Sequence, residues 1–228
     1  MIRFADWPPK ELPQNLVDSV DDSRWDHLKK YFPKFDYWND PDGRCLYSRP
    51  DNWTGFQQRA FEIYWTLRGV DGGGIGLAVG SSSVIPPFSI GIDKYNGEHP
   101  YYSNPTWGYA TMECLGEKLP FFDEQFDVVT SIHSFEHMEN PTETLAEWLR
   151  VLKRGESYIA IVAPDNSYND VMEIDKDHKW APDEQTLTDV CMGAIDLTKS
   201  RDNSGEIDIL YINTMQNGFS IDAVLCKR

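Results

Sequence analysis

The stretch FDVVTSIHSFEHMENP, residues 126 to 141, carries side chains that can exchange protons or hold a metal: His133, Glu136 and His137, in the order H-x-x-E-H. On a helix that order sets two imidazoles one turn apart on one face, as a zinc site of this kind requires, with a further ligand supplied from elsewhere. Here the motif directly follows an apolar run, FDVVTSI, that reads as a strand, and the next helical pattern starts near Pro141. At a strand end His133 and His137 lack the i, i+4 geometry that would converge them on an ion. The pattern therefore predicts no metal ligand, and a metallohydrolase built on His133 and His137 stays a remote alternative. General base catalysis is the other chemistry open to these residues, because an unperturbed imidazole titrates near neutral pH. His178, in EIDKDHKWAP, is a third candidate base. As a lone histidine in a polar loop it also reads as a surface residue.

Side chains of this kind need elements that position them. From residue 74 the chain alternates short apolar runs with turn residues or helical segments. GIGLAVG, FSIGID, GYATMEC, FDVVTSI and SYIAIVAP read as strands, and PTETLAEWLRVLKRG is the strongest intervening helix. Buried strands separated by helices or loops imply an α/β fold with a largely parallel sheet covered on both faces. After residue 183, DEQTLTDVCMGA reads as a helix, with AIDLTKSRD and FSIDAVLCKR as closing strands. Upstream, NWTGFQQRAFEIYWTLRGV has helical periodicity and a stop near Gly69. Residues 1–50 are rich in aromatics, proline and aspartate, and read as an irregular arm or cap ahead of an α/β domain spanning 51–228.

Open α/β sheets bind ligands beyond the carboxyl ends of their strands, near the point where strand order reverses. The first strand ends in LAVGSSS, where Gly80, Ser81 and Ser82 let a ligand approach the backbone. The second ends in GIDKY, where the Asp93 carboxylate can accept hydrogen bonds from both hydroxyls of a ribose, with Lys94 beside it. An aspartate after a strand is equally a turn former.

Composition narrows the substrate. With 37 acidic and 21 basic residues the formal charge is −16, and no basic cluster offsets it. Such a surface repels a phosphate backbone, so a nucleic acid partner is not expected. The four cysteines are widely spaced, without a C-x-x-C pair, and read as reduced thiols. No signal segment is evident at the start, and no apolar run approaches the roughly 18 residues that span a bilayer. A soluble, cytoplasmic protein with no membrane association is expected.

Taken together, residues 74 to 164 resemble the class I S-adenosylmethionine-dependent methyltransferases. The resemblance is strongest in L-P-F-x-D-x-x-F-D-V-V, then E-H, then E-W-x-R-V-L-K-x-G. The short stretch between Ser82 and Ile92 looks like a subgroup with a shortened first helix. The resemblance implies a Rossmann-like sheet of seven strands, mostly parallel, with helices on both faces and an antiparallel last strand. It implies S-adenosylmethionine as cofactor and S-adenosylhomocysteine as product. By position, Gly80 to Ser82 match the turn beside the methionine part, and Asp93 matches the ribose-binding acid. Leu115, Gly116 and Glu117 lie where the adenine edge is held, and Ile132 to Ser134 pass under the cofactor. Glu136 then ties down loop amides, and His133 stands nearest the methyl donor. The acceptor is expected to be a small molecule or a sugar. The chain departs from the pattern at Ala78, Ser82 and Leu115, where the family carries an acid, a glycine and an acid. A catalytically inactive binding or regulatory protein on the same fold is the alternative.

Overall fold

The computed structural model describes residues 76–81, 89–94, 112–167, 170–200, 205–214 and 220–228. The aromatic arm, the helix read near residues 53–69, and Ser82 lie outside the described residues.

Seven strands form one sheet: β1 (Gly76–Val79), β2 (Ser89–Asp93), β3 (Met112–Glu113), β4 (Val128–Ile132), β5 (Ser157–Pro164), β6 (Ile207–Thr214) and β7 (Ser220–Lys227). Their order is β3-β2-β1-β4-β5-β7-β6. The first five pair in parallel, while β7 runs antiparallel to both β5 and β6. Strand order therefore reverses beside β1, which pairs with β2 on one side and β4 on the other. The crevice that a switch point opens lies over the ends of β1 and β4.

Three helices are described: α1 (Pro141–Val151), the short α2 (Val171–Ile174) and α3 (Glu184–Lys199). Pro141 starts α1, where its missing N–H costs nothing. Its apolar stripe, Leu145, Trp148 and Leu149, is fully buried and packs in one core with Val129, Ile159 and Ile161 of the sheet. Each such aliphatic side chain contributes about 1.5–3 kcal/mol by leaving water. The other sheet face gathers Ala160, Val162 and Val224. Lys227 is buried and donates from Nζ to the carbonyls of Leu149 and Leu152, both at 2.8 Å, satisfying the end of α1.

One segment corrects the sequence reading. AIDLTKSRD, taken as a strand, continues α3 as far as Lys199. Leu187, Cys191, Ala194, Ile195 and Thr198 are the buried residues of that helix, and this spacing is helical, so burial over the whole segment decides what a short apolar run leaves ambiguous. The additional strand is IDILYINT, β6. All but its first residue are only partly buried, as suits a sheet edge, and its interspersed polar residues conceal it in the sequence. Asp183 starts α3 with a capping box, its carboxylate accepting from the Thr186 amide at 2.8 Å while Thr186 Oγ1 accepts from the Asp183 amide at 2.9 Å. No helix among the described residues is long and apolar enough to cross a membrane.

Candidate functional site

The end of β1 is built around a glycine. Gly80 has φ +63, a conformation that costs a side-chain-bearing residue energy, and a Cβ there would run into Cβ and Oγ of Ser134. Ser134 is buried and donates from Oγ to Val79 O at 2.8 Å, while its Oγ also lies 2.7 Å from Ser131 Oγ. The turn after β1 is thus pressed against the loop after β4. Ser81 follows, its amide bonded to Ile92 O at 3.0 Å. Its buried Oγ has no hydrogen-bond partner among the described residues. A buried hydroxyl without a partner is costly, so this one marks a place where a polar ligand atom fits.

Asp93 ends β2 with only 7% of its surface exposed. Lys94 beside it is exposed. The loop after β3 carries Leu115, 55% exposed, then buried Gly116 and half-buried Glu117. A Cβ on Gly116 would come 2.7 Å from Val79 Cγ1, so the loop can lie this close to β1 only as glycine. Trp148 Nε1 donates to Gly116 O at 2.8 Å, and Glu117 Oε1 accepts from the Glu139 amide at 3.0 Å. The E-W-x-R motif is structural here. Glu147 accepts from the Leu119 amide at 3.1 Å, and Arg150 bonds Glu147, Asp123 and the carbonyls of Phe121 and Leu119. Together they pin the β3–β4 loop to α1.

Beyond β4 the backbone turns sharply. Ile132 ends the strand, and His133 sits at φ +48, an uncommon conformation for a residue with a side chain. Its amide continues the ladder to Val162 O at 2.8 Å, and Nε2 lies 3.2 Å from Ser220 Oγ at the start of β7. Glu136 and His137 follow on one turn of 3-10 helix, Phe135–His137.

Glu136 does not tie down loop amides as the resemblance implied. It is wholly buried, and neither carboxylate oxygen has a hydrogen-bond partner among the described residues. Oε1 instead faces three imidazoles: His133 Nδ1 at 3.8 Å, His178 Nε2 at 3.8 Å and His137 Nε2 at 4.0 Å. The reason is the segment after α2. Lys179 N bonds Glu136 O at 2.8 Å and Trp180 Nε1 bonds Phe135 O at 2.9 Å, drawing residues 178–180 over the turn. His178, open to a surface reading in the sequence, is therefore buried, with Nδ1 2.6 Å from Val171 O. Tertiary folding thus gives the histidines the convergence that their spacing did not promise.

Burial favours the neutral form of these groups. It pushes the Glu136 carboxyl up to about 8, an effect its own backbone reduces and the Asp175 carboxylate increases. Burial lowers His133 to about 3, helped by His178 and His137. His137 is lowered too, first by burial and then by His178, while Asp175 opposes the shift and the Lys94 ammonium adds to it. Neutral imidazoles keep a lone pair that can bind a cation or take a proton in passing, although the same burial opposes the lasting protonated form.

The structure thus brings Gly80, Ser81, Asp93, the 115–117 loop and Ile132–His133 to the carboxyl edge of the sheet, with His133, His137 and His178 grouped around Glu136. Trp180, Asp175 and Ser220 also belong to this surround, and the sequence reading did not single them out. The nearest signal was DHKWAP, in the segment that follows the fifth strand.

The fold is similar to that of solved methyltransferases. Residues 94–160 match the family model for the methyltransferase domain. Uncharacterised protein MJ1123 of Methanocaldococcus jannaschii is 32% identical over 108 residues, which are 47% of this chain and 53% of that protein. The chain therefore spans about half the length of the curated relative it matches. Among solved structures, the Burkholderia thailandensis 1,6-didemethyltoxoflavin-N1-methyltransferase, with 1,6-didemethyltoxoflavin and S-adenosylhomocysteine bound, superimposes with TM-score 0.51 at 12% identity, covering 96% of this chain and 92% of that one. A chain from the complex of the Haloferax volcanii Trm112 methyltransferase activator with a candidate methyltransferase gives 0.54 at 13% identity, covering 93% and 96%. At these identities the structures show a shared fold.

Proposed function

We propose that the chain is a cytoplasmic S-adenosylmethionine-dependent methyltransferase whose acceptor is a small molecule or a saccharide. The observation that carries this reading is the turn at Gly80, left-handed and closed on Ser134, with the unpartnered Ser81 hydroxyl next to it and Asp93 at the adjoining strand end. A backbone approach, a polar atom seeking a partner and a carboxylate suit a nucleoside-type ligand at a switch point. The bound cofactor supplies a methyl carbon made electrophilic by its sulfonium.

The chain's own residues divide the rest. Gly80 and Ser81, with Ser82, hold the methionine part, and Asp93 accepts the ribose hydroxyls with Lys94 beside it. Leu115, Gly116 and Glu117 border the base, where the exposed Leu115 side chain offers an apolar edge. Ile132 and His133 lie below. His133, His137 and His178 are the groups that can accept a proton from an acceptor hydroxyl or amine. Positioning the acceptor contributes several kcal/mol by itself. The acidic composition supports a neutral or cationic small acceptor over a polynucleotide.

Titration calorimetry with S-adenosylhomocysteine tests the reading. Wild type binds, and Asp93→Asn weakens binding at least about tenfold, the loss expected when a charged acceptor becomes neutral. Absence of binding, or binding indifferent to Asp93→Asn, overturns it.

A further inference from the structure

Glu136 is a buried carboxylate around which three imidazoles stand too far away to bond it directly. Direct N–H···O bonds lie at about 2.7–3.2 Å. The separations here, 3.8, 3.8 and 4.0 Å from one oxygen, are all longer. They lie close to the spacing of two ligands on one ion. With metal–nitrogen and metal–oxygen bonds near 2.0–2.2 Å, ligands at tetrahedral angles sit about 3.4 Å apart. One ligand atom each from Glu136, His137 and His178 lie within 4.8 Å of one another. Tetrahedral ligation would need the Glu136–histidine separations to close by about 0.4–0.6 Å and the widest ligand pair, up to 4.8 Å apart, by about 1.4 Å.

The ring of His178 is already held in one orientation by Val171. The carbonyl of Val171 can only accept, so the 2.6 Å contact puts a hydrogen on His178 Nδ1 and leaves a lone pair on Nε2, the atom facing Glu136. That orientation is the one a ligating imidazole takes. Glu136 is wholly buried, and neither of its oxygens has a hydrogen-bond partner among the described residues. An unpartnered buried carboxylate aimed at imidazole nitrogens needs a cation or a proton between them.

We propose that Glu136, His137 and His178, with His133 beside them, bind one divalent transition-metal ion. Two or three imidazoles with one carboxylate select zinc, cobalt, nickel or ferrous iron over magnesium and calcium, which prefer all-oxygen shells. The His133 and His137 side chains keep 20% and 25% of their surface exposed, so the site opens on one side. A position remains for water or an acceptor atom, as in metal sites that are not purely structural. The ion would stand next to the end of β4, on the flank of the crevice. The inference uses none of Gly80, Ser81 or Asp93, and an imidazole that ligates the ion no longer serves as the proton acceptor named above, since its lone pair is taken.

The test uses the full chain, stripped with a chelator, then titrated with Zn2+ and Co2+ and assayed for bound metal by mass spectrometry. One ion per chain is expected, with visible Co2+ absorption from imidazole coordination and a rise in melting temperature on zinc addition. Glu136→Gln and His178→Ala each lower affinity by at least about 100-fold, as loss of a ligand should exceed the 10–100-fold typical of second-shell changes. His137→Asn, at a partly exposed position, provides the same readout if the buried variants do not fold. Absence of saturable uptake up to about 1 mM, or affinity unchanged in all folded variants, overturns the proposal. Should no variant fold, the wild-type cobalt spectrum decides: bands of imidazole-bound cobalt support the site, and the spectrum of hydrated cobalt refutes it.

Discussion

Replacing Gly80 by alanine tests how the strand-end turn is held. Two costs follow from its surroundings. The backbone at φ +63 penalises a residue with a Cβ by about 1–2 kcal/mol. The added methyl also overlaps Cβ and Oγ of Ser134, and Ser134 cannot retreat without breaking its 2.8 Å bond to Val79 O, so overpacking adds about 1–3 kcal/mol. The sum, about 2–5 kcal/mol, is below the 5–15 kcal/mol stability of an ordinary domain, so Gly80→Ala folds but unfolds at lower urea. If the turn meets the cofactor as proposed, binding of S-adenosylhomocysteine falls with it. A double-mutant cycle separates the two costs. Ser134→Gly removes the overlap but leaves the strain, so Gly80→Ala and Ser134→Gly together should show a coupling of about 1–3 kcal/mol. Equilibrium urea unfolding of the four proteins measures it. A Gly80→Ala midpoint equal to wild type, or strict additivity across the cycle, would refute the packing argument.

Trp148→Phe keeps the ring but removes the donor to Gly116 O, leaving a buried carbonyl unpaired; urea unfolding should show a loss of about 1–3 kcal/mol, with faster amide exchange in residues 115–119. Lys227→Met leaves the carbonyls of Leu149 and Leu152 without their donor, and the same assay should show a loss of similar size and earlier exchange at the end of α1. The Asp183 carboxyl is held below its ordinary value, chiefly by the Thr186 amide. A depressed carboxylate stabilises the fold above its unfolded value near pH 4, and that contribution disappears as pH falls through the folded value. Acid-limb thermal melts of Asp183→Ser, which keeps a cap without the titration, should accordingly lose less stability from pH 5 to 3 than wild type.

Much of the fold was legible because burial writes itself into local pattern. Val128 to Ile132 and Ser157 to Pro164 lie mostly buried in mid-sheet, so their apolar runs read directly as strands. Gly80 and Asp93 were legible for a related reason: a glycine and an acid at strand ends are local features of an α/β sheet. IDILYINT was not, since an edge strand need not be apolar throughout. Nor could AIDLTKSRD be separated from a strand until the buried stripe from Leu187 to Thr198 showed one continuous helix. The histidine cluster belongs wholly to tertiary structure. In the sequence His178 is a polar loop residue far from Glu136; in the fold, the bonds from Lys179 and Trp180 to the 3-10 turn bring its Nε2 to 3.8 Å from that carboxylate. Sequence specifies which groups can bind a proton or an ion, through their chemistry. Whether they meet depends on the packing of segments distant along the chain, which no local spacing encodes.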